Sequence, residues 1–363
     1  MFDTLKSKQA ELAETRRLIL AYGWNTTSYQ ILNPGFNRWF SREGDAVIGW
    51  TLAAGVRVVA GAPVCTKDRL AALVREFESE AARARQRVCY VAAEARLEAA
   101  LKDSERHSRV LLGAQPVWDP SNWSAIVARD KSLRAQINRA RNKGLSVKEW
   151  SREQAFENPE LETVLQAWLA DKGLPPLHFL VEPDTLSRIF DRRIFVAAGP
   201  NGIAGFLLIS PIATRRGWLF EQFIHRPGSP NGTVEMLIDA AMRALARDGF
   251  DFATLGLSPL SHRARIERFL NPLWLRTILR LIRRYGQPLY NFDGLDAFKN
   301  KLRPDSWEPI YAIYNRPQFT PRPLYAVASA FSRKRPIRLF AGGLARLPLY
   351  LAKRAKRYVS RRS

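Results

Sequence analysis

The chain has very few side chains that form disulfides or bind metals for its 363 residues. It contains two cysteines, Cys65 and Cys89, and four scattered histidines, and it has no Cys-x-x-Cys pair. A disulfide framework needs several cysteines, and a structural zinc site needs a cluster of Cys and His ligands. The sequence therefore argues against both classes. We expect no metal, no bound cofactor and two free thiols in a reducing compartment.

Acidic side chains are also scarce beside the basic ones. The chain has 34 Asp and Glu against 57 Lys and Arg, which gives a net charge of +23. The imbalance is strongest in residues 316–363, which contain thirteen Lys or Arg and no acid. A charge of this size says nothing about the fold, but it favours anionic partners such as RNA or anionic lipid headgroups.

Long apolar runs are absent as well. The N-terminus lacks the apolar core of a signal peptide. The longest uncharged stretch, 194–214, is interrupted by Gly-Pro-Asn-Gly at 199–202, which predicts a hairpin between two strands. A membrane-spanning helix needs about 20 apolar residues. We therefore predict no such helix.

Two stretches of the chain share one succession of predicted elements. In the first, these are strands at 46–52 and 56–60, a helix from Leu70 to Phe77 capped by Thr66, and a strand at 88–92. In the second, these are strands at 194–198, 203–210 and 218–224, a helix at 234–245 and a strand at 252–257. We predict an α/β fold of two units, 28–150 and 151–316, between an N-terminal helix (1–27) and a tail (317–363).

A basic helix is predicted between the two units, at 129–143. Leu133, Ile137 and Ala140 recur at helical spacing and form an apolar stripe that can dock on the protein. Guanidinium groups on the other faces suit paired hydrogen bonds to phosphate. The candidate phosphate contacts are Arg134, Asn138, Arg139, Arg141 and Lys143, with Arg303 from a later segment. The alternative is a surface helix that Arg merely makes soluble.

The stretch 290–314 carries the strongest candidates for catalysis. It predicts a strand at 289–292, a short helix at 294–302, a turn, and a strand at 308–314. The helix contains Lys299 and Lys301. A cation held in a cleft by such a helix can stabilise a phosphate or a developing oxyanion. A solvated helix face is the alternative.

The segment 220–233 joins a predicted strand to a helix start, where free N–H groups can bind an anion. Glu221 is a candidate catalytic residue that can bind a substrate ammonium, with a solvated edge carboxylate as the alternative. Glu235 either contacts substrate or complements the helix dipole. His178 lies in an irregular loop and is either a substrate contact or a satisfied polar residue. The other candidate substrate contacts here are Gln222, Arg226, Asn231 and Gly232.

The tail, 317–363, alternates basic residues with Leu, Phe and Tyr. This composition favours a segment that lies in the interface of an anionic membrane, and an RNA-binding arm is the alternative. We therefore expect a cytoplasmic protein that is peripherally attached to the inner face of the cell membrane.

Four short segments resemble the catalytic domain of the phosphatidylglycerol lysyltransferase (multiple peptide resistance factor) family. They are SLRAQINRA (132–140), SPNG (229–232), LGLSPL (255–260), and the stretch from YNF (290–292) through Phe298 and Lys299 to WEP (307–309). The resemblance implies two tandem GNAT-like acyltransferase units that move an aminoacyl group from charged tRNA to a lipid hydroxyl. It also implies that Gly256 and Ser258 contact substrate, and that Lys299 steadies negative charge in the transition state with Lys301 in support.

Two features depart from the family pattern. The flippase domain that usually precedes this domain is not among the 363 residues, and the loop 226–232 lacks the Gly-x-Gly/Ala pattern of an acetyl-CoA site. We predict aminoacyl-tRNA-dependent transfer to a phosphatidylglycerol-type lipid, with charged tRNA and anionic membrane as partners. The alternatives are an acyl-CoA-dependent N-acyltransferase and a non-catalytic lipid- or RNA-binding protein.

Overall fold

The architecture is a mixed α/β fold built on one long sheet. The computed structural model describes residues 2–172, 178–183, 185–264, 271–285 and 291–332. The helices are α1 (Phe2–Tyr22), α2 (Leu70–Arg83), α3 (Ala95–Leu101), α4 (Trp123–Arg129), α5 (Lys131–Asn142), α6 (Arg152–Ala155), α7 (Pro159–Lys172), α8 (Thr233–Arg247), α9 (Leu273–Tyr285), α10 (Phe292–Lys301) and α11 (Pro321–Ser332). The strands are β1 (Asn37–Phe40), β2 (Val47–Ala53), β3 (Val56–Ala60), β4 (Arg87–Ala93), β5 (Ser108–Trp118), β6 (Ser146–Trp150), β7 (Arg193–Gly199), β8 (Gly202–Ile212), β9 (Gly217–His225), β10 (Phe252–Thr254), β11 (Ser258–Pro259) and β12 (Ser306–Tyr314).

The sheet contains two similar units. Its strand order is β1-β2-β3-β4-β12-β5-β10-β9-β8-β7-β6, and β11 pairs with β5. The pairs β3–β4 and β9–β10 are parallel, and each is connected through a helix, α2 in the first unit and α8 in the second. This repeated strand–helix–strand plan confirms the predicted α/β class with two units.

Local sequence patterns account for most of these elements. The predicted hairpins form as β2–β3 and β7–β8. The predicted period of α2 is confirmed, because Leu70, Leu73 and Phe77 are buried against the sheet. The predicted cap of α2 is wrong, since the helix begins after Arg69 and not after Thr66.

The strand β12 completes the first unit, although it comes from the end of the second in sequence. It pairs with β4 at Tyr314↔Cys89 and with β5 at Ser306↔Val117. β5 also pairs with β10 of the second unit. One continuous sheet therefore runs through both units, and its neighbouring strands β12, β5 and β10 join them.

Two predicted boundaries differ from the structure. Residues 291–292 are not strand, because Asn291 caps α10 by accepting a 2.9 Å hydrogen bond from the Gly294 N–H, and Phe292 begins the helix. The other end of that predicted strand, 289–290, lies outside the described residues. The strand predicted at 252–257 ends at Thr254.

The first part of the predicted tail belongs to the folded body. Phe319, Ala326 and Ala330 are buried in the apolar cluster that also holds the inner faces of α1 and β2–β4. Residues 317–332 therefore belong to the folded body and do not form a separate tail, and their contact with a membrane stays a prediction. The remainder, 333–363, lies outside the described residues. Within the described part of the chain, no helix combines the length and apolar character needed to cross a membrane.

Candidate active site

The candidate site lies where the parallel strands β9 and β10 separate. They pair from Phe252↔Gly217 to Thr254↔Leu219. β9 then continues to His225. The segment after β10 instead turns at Gly256, which has a φ of +65°, and pairs with β5 as β11. We call the opening between the end of β9 and the segment 255–257 the fork. The carboxyl ends of neighbouring parallel strands are the usual place for ligands in α/β sheets.

Lys299 of α10 holds one side of the fork. Its Nζ donates hydrogen bonds to the carbonyl oxygens of Leu255 (2.8 Å), Gly256 (2.8 Å) and Leu257 (2.9 Å). Burial lowers the pKa of Lys299 to about 7, and the charge of Asp296 opposes that shift. An ammonium group has three N–H bonds, and each meets a carbonyl here. Lys299 therefore orders the segment 255–257, and it has no N–H bond left for the direct oxyanion contact expected from the sequence.

Lys301 joins α10 to the first turn of α8. Its Nζ lies 3.1 Å from Glu235 Oε1. A carboxylate in a first helical turn is favoured by the helix dipole, and here the Glu235 carboxylate also forms an ion pair with Lys301 of α10. Both residues were predicted site residues, and the structure brings them together at the loop that leaves β9.

Gly232 brings α5 to the same loop. It precedes α8 with a φ of +98°, and a Cβ atom at this position would lie 1.9 Å from the carbonyl oxygen of Gln136 in α5. A side chain is therefore excluded both by backbone conformation and by contact. Asn231 beside it is exposed.

Arg303 contacts the N-terminus of α5 instead of facing solvent alone. Its Nε donates a 2.9 Å hydrogen bond to Asp130 Oδ2, while Asp130 Oδ1 accepts one of 2.9 Å from the Leu133 N–H. The Leu133 N–H and then the Arg303 guanidinium lower the pKa of the Asp130 carboxyl. Lys299 and Lys301 of α10 thus contact the fork and α8, and Arg303 just after α10 contacts α5.

The helix α5 docks by its predicted apolar stripe. Leu133, Ile137 and Ala140 are buried against α8 and the sheet, which confirms that stripe. The exposed residues on its other faces are Asn138, Arg139, Arg141 and Lys143. Arg134 has a different place, because its guanidinium donates to the carbonyl oxygens of Val127 and Ala128 at the end of α4. It caps α4 and does not point with the other cations.

Glu221 is neither a solvated edge residue nor a free carboxylate. Arg192 donates hydrogen bonds of 2.8 Å and 3.0 Å to its two oxygens, and the side chains are 0% and 6% exposed for Arg192 and Glu221. Arg192 also donates to Asn33 Oδ1 at 2.9 Å. Both sequence interpretations of Glu221 are therefore wrong in this structure, since its carboxylate is already paired.

Gln222 holds Glu182 and Thr185 of one loop against β9, and His178 binds within the same loop region. Gln222 Nε2 donates to the carbonyl oxygen of Glu182 at 2.7 Å, and its Oε1 accepts from Thr185 Oγ1 at 2.7 Å. His178 Nδ1 lies 3.0 Å from Glu182 Oε2. Arg226 similarly anchors β8, because its Nε donates to the carbonyl oxygen of Ile203 at 2.9 Å. These side chains are engaged in structural hydrogen bonds.

Gly256 lies in the segment that forms the fork, and Ser258 begins β11 just after it, while their contact with substrate stays a prediction. The Gly256 N–H donates a 3.0 Å hydrogen bond to Thr254 Oγ1, which fixes the turn out of β10. Ser258 is fully buried, and its hydroxyl has no hydrogen-bond partner within the described ranges.

One charged cluster between the units was not anticipated from the sequence. Arg215 contacts Glu94 at 3.0 Å and Glu308 at 2.5 Å, and Gln115 donates to Glu308 at 2.9 Å. Burial raises the pKa of Glu94. Burial acts in the same direction at Glu308, but the hydrogen bond and charge of Arg215 and the hydrogen bond from Gln115 together outweigh it and lower the pKa of Glu308. Its members are far apart in sequence, so spacing carries no signal for them.

The chain consists of two α/β units that share one sheet, and the second unit contains the forked pair of parallel strands. The chain belongs to the family described as phosphatidylglycerol lysyltransferase, C-terminal, whose sequence model matches residues 16–314. It is similar to the structure of L-PGS from Bacillus licheniformis, with a TM-score of 0.73 and 21% identity over 89% of this chain and 97% of that one.

Longer relatives match this chain over part of their length. It is 24% identical over 283 residues to the phosphatidylglycerol lysyltransferase of Bacillus subtilis, covering 77% of this chain and 32% of that protein. It is 24% identical over 331 residues to an uncharacterised protein of Corynebacterium glutamicum, covering 85% of this chain and 40% of that protein. The chain thus spans less than half the length of either relative.

Proposed function

We propose that this protein transfers an aminoacyl group from a charged tRNA to a hydroxyl of a phosphatidylglycerol-type lipid at the membrane surface. The observation that carries the proposal is the arrangement at the fork in a member of this family. There α10 contacts the diverging strand and the start of α8, and Arg303 just after α10 contacts the N-terminus of the basic helix α5. Family membership supports the lipid acceptor, and the exposed cations of α5 support an RNA donor.

The reaction exchanges one ester for another. The lipid hydroxyl oxygen attacks the carbonyl carbon of the aminoacyl ester, the bond to the tRNA ribose oxygen breaks, and the hydroxyl proton passes to that ribose oxygen. Donor and product are both esters, so no ATP or resident cofactor is needed. The enzyme must align the two reactants and stabilise the tetrahedral oxyanion.

The chain's own residues divide this work in the proposal. Lys299 fixes the fork by holding three carbonyl groups in place, and Lys301 holds Glu235 at the start of α8. At the start of α8 the Thr233 N–H donates to the Pro230 carbonyl at 3.1 Å, and the N–H groups of the next two residues lie at a helix N-terminus, which is suited to an oxyanion or a phosphate. Arg139 and Lys143 are exposed on α5, which rests on the loop before α8, and they contact the tRNA backbone.

The proposal is tested by following label from tRNA into lipid. Purified protein is incubated with vesicles that contain phosphatidylglycerol and with total tRNA charged with radiolabelled amino acids. We expect label in the organic phase that is lost after RNase treatment, and the active amino acid identifies the donor. Label transfer from acyl-CoA in place of tRNA would instead support an N-acyltransferase. Absence of transfer from either donor would contradict both.

Charge reversal on α5 tests the tRNA contact. Arg139→Glu with Lys143→Glu removes two phosphate contacts, so we expect weaker tRNA binding and a salt dependence whose slope falls by about 2. The matched control is Arg75→Glu with Arg83→Glu on the exposed side of α2. Equal effects of the two pairs would show that only net charge matters, and would remove α5 from the proposed tRNA site.

A further inference from the structure

The helix α9 is amphipathic, strongly basic and only partly covered. Its sequence, LWLRTILRLIRRY, contains four arginines and no acid. Leu275 is buried in the apolar cluster under the first unit, with Trp274 and Leu279 packed against it. Leu273 and Leu281, however, are 77% and 50% exposed. One side of α9 therefore packs against the core, and another side exposes Leu273 and Leu281 to solvent.

The exposed leucines lie among unpaired cations. Positions 273, 277 and 281 recur at i+4 and share a side of the helix, with the exposed Arg276 and Arg280 next to it. Among the described residues, neither arginine has an ion-pair partner, whereas Arg283 is paired with Asp293. Exposed leucine beside arginine on one helix is typical of helices that lie in the interface of an anionic bilayer.

Other elements that cover the same apolar cluster also expose apolar side chains. The short turn 179–181 packs Phe179 into the cluster and exposes Val181, and α11 buries Ala326 and exposes Tyr325. Phe179 contacts Phe331 of α11 with ring centroids 5.3 Å apart, so the two elements are neighbours. The apolar exposure is therefore shared by α9, this turn and α11.

α9 is also fixed to the strand that borders the fork. Asn271, just before the helix, accepts a 2.8 Å hydrogen bond from the Leu111 N–H and donates one of 2.9 Å to the Leu111 carbonyl in β5. Two residues further along β5, Gly113 pairs with Pro259 of β11. That separation is about 7 Å along a strand. A bilayer in contact with α9 would thus lie close to the segment that forms the fork.

We propose that α9, with Leu273 and Leu281 inserted and Arg276 and Arg280 on the headgroups, docks the protein on an anionic lipid bilayer and presents the fork to it. The inference rests on the proposed function for its acceptor, since a lipid substrate is reached at the bilayer surface. RNA would use the arginines and leave the leucines without a role. The exposed leucines therefore favour lipid.

The test measures binding of the full-length protein to vesicles of equal parts phosphatidylglycerol and phosphatidylcholine. Leu273→Ser with Leu281→Ser should weaken binding by about tenfold or more, because both apolar contacts with the acyl boundary are lost. The matched control is Phe156→Ser, which changes an exposed aromatic residue of the second unit. The basic tail is present in all variants. Binding by the leucine variant equal to that of the control would overturn the proposal.

A labelling experiment gives the same answer without requiring a loss of binding. The natural cysteines are buried, so Leu281→Cys can be labelled selectively with an environment-sensitive fluorophore. We expect quenching by lipids with nitroxide-labelled acyl chains at position 281 and none at a labelled Phe156→Cys. Equal quenching at both sites, or quenching at neither, would refute docking through α9.

Rates on two forms of the acceptor separate this inference from the proposed function. The leucine variant should transfer normally to dispersed short-chain phosphatidylglycerol and slowly to vesicles. Loss of transfer on both forms with binding retained would contradict the docking role. Leucine-dependent vesicle binding in a protein that transfers nothing would contradict the proposed function and leave the docking surface intact.

Discussion

The Lys299 ammonium provides the sharpest single perturbation of the fork. Lowering its pKa from 10.5 to about 7 corresponds to about 5 kcal/mol of burial penalty on the charged form. Three hydrogen bonds from a charged donor return roughly 1.5–3 kcal/mol each, or about 4.5–9 kcal/mol in total. The two terms nearly cancel. Lys299→Met removes both, so we expect a modest loss of stability, about 0–4 kcal/mol, from three carbonyl groups left without their donor.

The kinetic effect of Lys299→Met should exceed its effect on stability. Without the ammonium, the carbonyls of 255–257 repel one another and this side of the fork shifts. A displacement of about 1 Å at a reacting centre can lower the rate about 10²-fold. We expect kcat to fall by that order, with KM for the lipid changed little, because Lys299 is buried and its ammonium is bound to three backbone carbonyls.

The assay is single-turnover transfer of a radiolabelled aminoacyl group to dispersed phosphatidylglycerol, with thermal melts of each variant. Lys299→Ala should regain part of its rate with added ethylammonium, which can occupy the vacated site and bind the same carbonyls. Lys148→Met is the matched control, since it removes an exposed lysine of β6 that has no part in the fork. A Lys299→Met variant that folds and keeps the wild-type kcat would refute a positioning role for Lys299.

Three further predictions follow from other contacts. Arg215→Met should lower the free energy of unfolding at pH 7 by about 3 kcal/mol, because the buried Glu94 and the partly exposed Glu308 lose their partner. In urea titrations this deficit should shrink as the pH falls towards 5 and those carboxylates protonate, and a pH-independent deficit would contradict the reasoning. Gly232→Ala should lower Tm by more than Gly228→Ala. Both positions have positive φ, but only a Cβ atom at Gly232 would contact α5. Equal shifts in Tm would show that backbone strain is the sole cause. Deleting 317–363 should lower Tm well beyond the effect of deleting 333–363 alone, because the core side chains of α11 are lost. Equal melts of the two deletions would contradict the placement of α11.

Patterns local in sequence predicted much of the fold. The stripe of α5, the two hairpins and the strand–helix–strand repeats all arise from side chains a few residues apart, where periodicity reports burial directly. The position of β12 could not be predicted this way. Its pairing with β4 joins Tyr314 to Cys89, and sequence periodicity carries no information on pairing across more than two hundred residues.

The candidate site was predicted in its location more than in its contacts. Lys301 and Glu235 do meet across α10 and α8, because both sit on elements that the sequence predicted, whereas Lys299 on the same helix contacts the segment 255–257. Their partners depend on tertiary packing. The sequence showed a charged Glu221 on a strand, but only the sheet brings the Arg192 guanidinium to it. α9 was missed although its apolar and basic periodicity is plain in the sequence.

The central claim is tested most directly by the identity of the product. The protein is incubated with one charged tRNA and phosphatidylglycerol, the lipid is extracted, and its mass is measured by mass spectrometry. A control reaction contains phosphatidic acid, which lacks the glycerol hydroxyls, as the acceptor. The account predicts an alkali-labile lipid whose mass equals phosphatidylglycerol plus the amino acid less water, and no such product from phosphatidic acid. An unmodified lipid pool, in the presence of intact charged tRNA and folded protein, would contradict it.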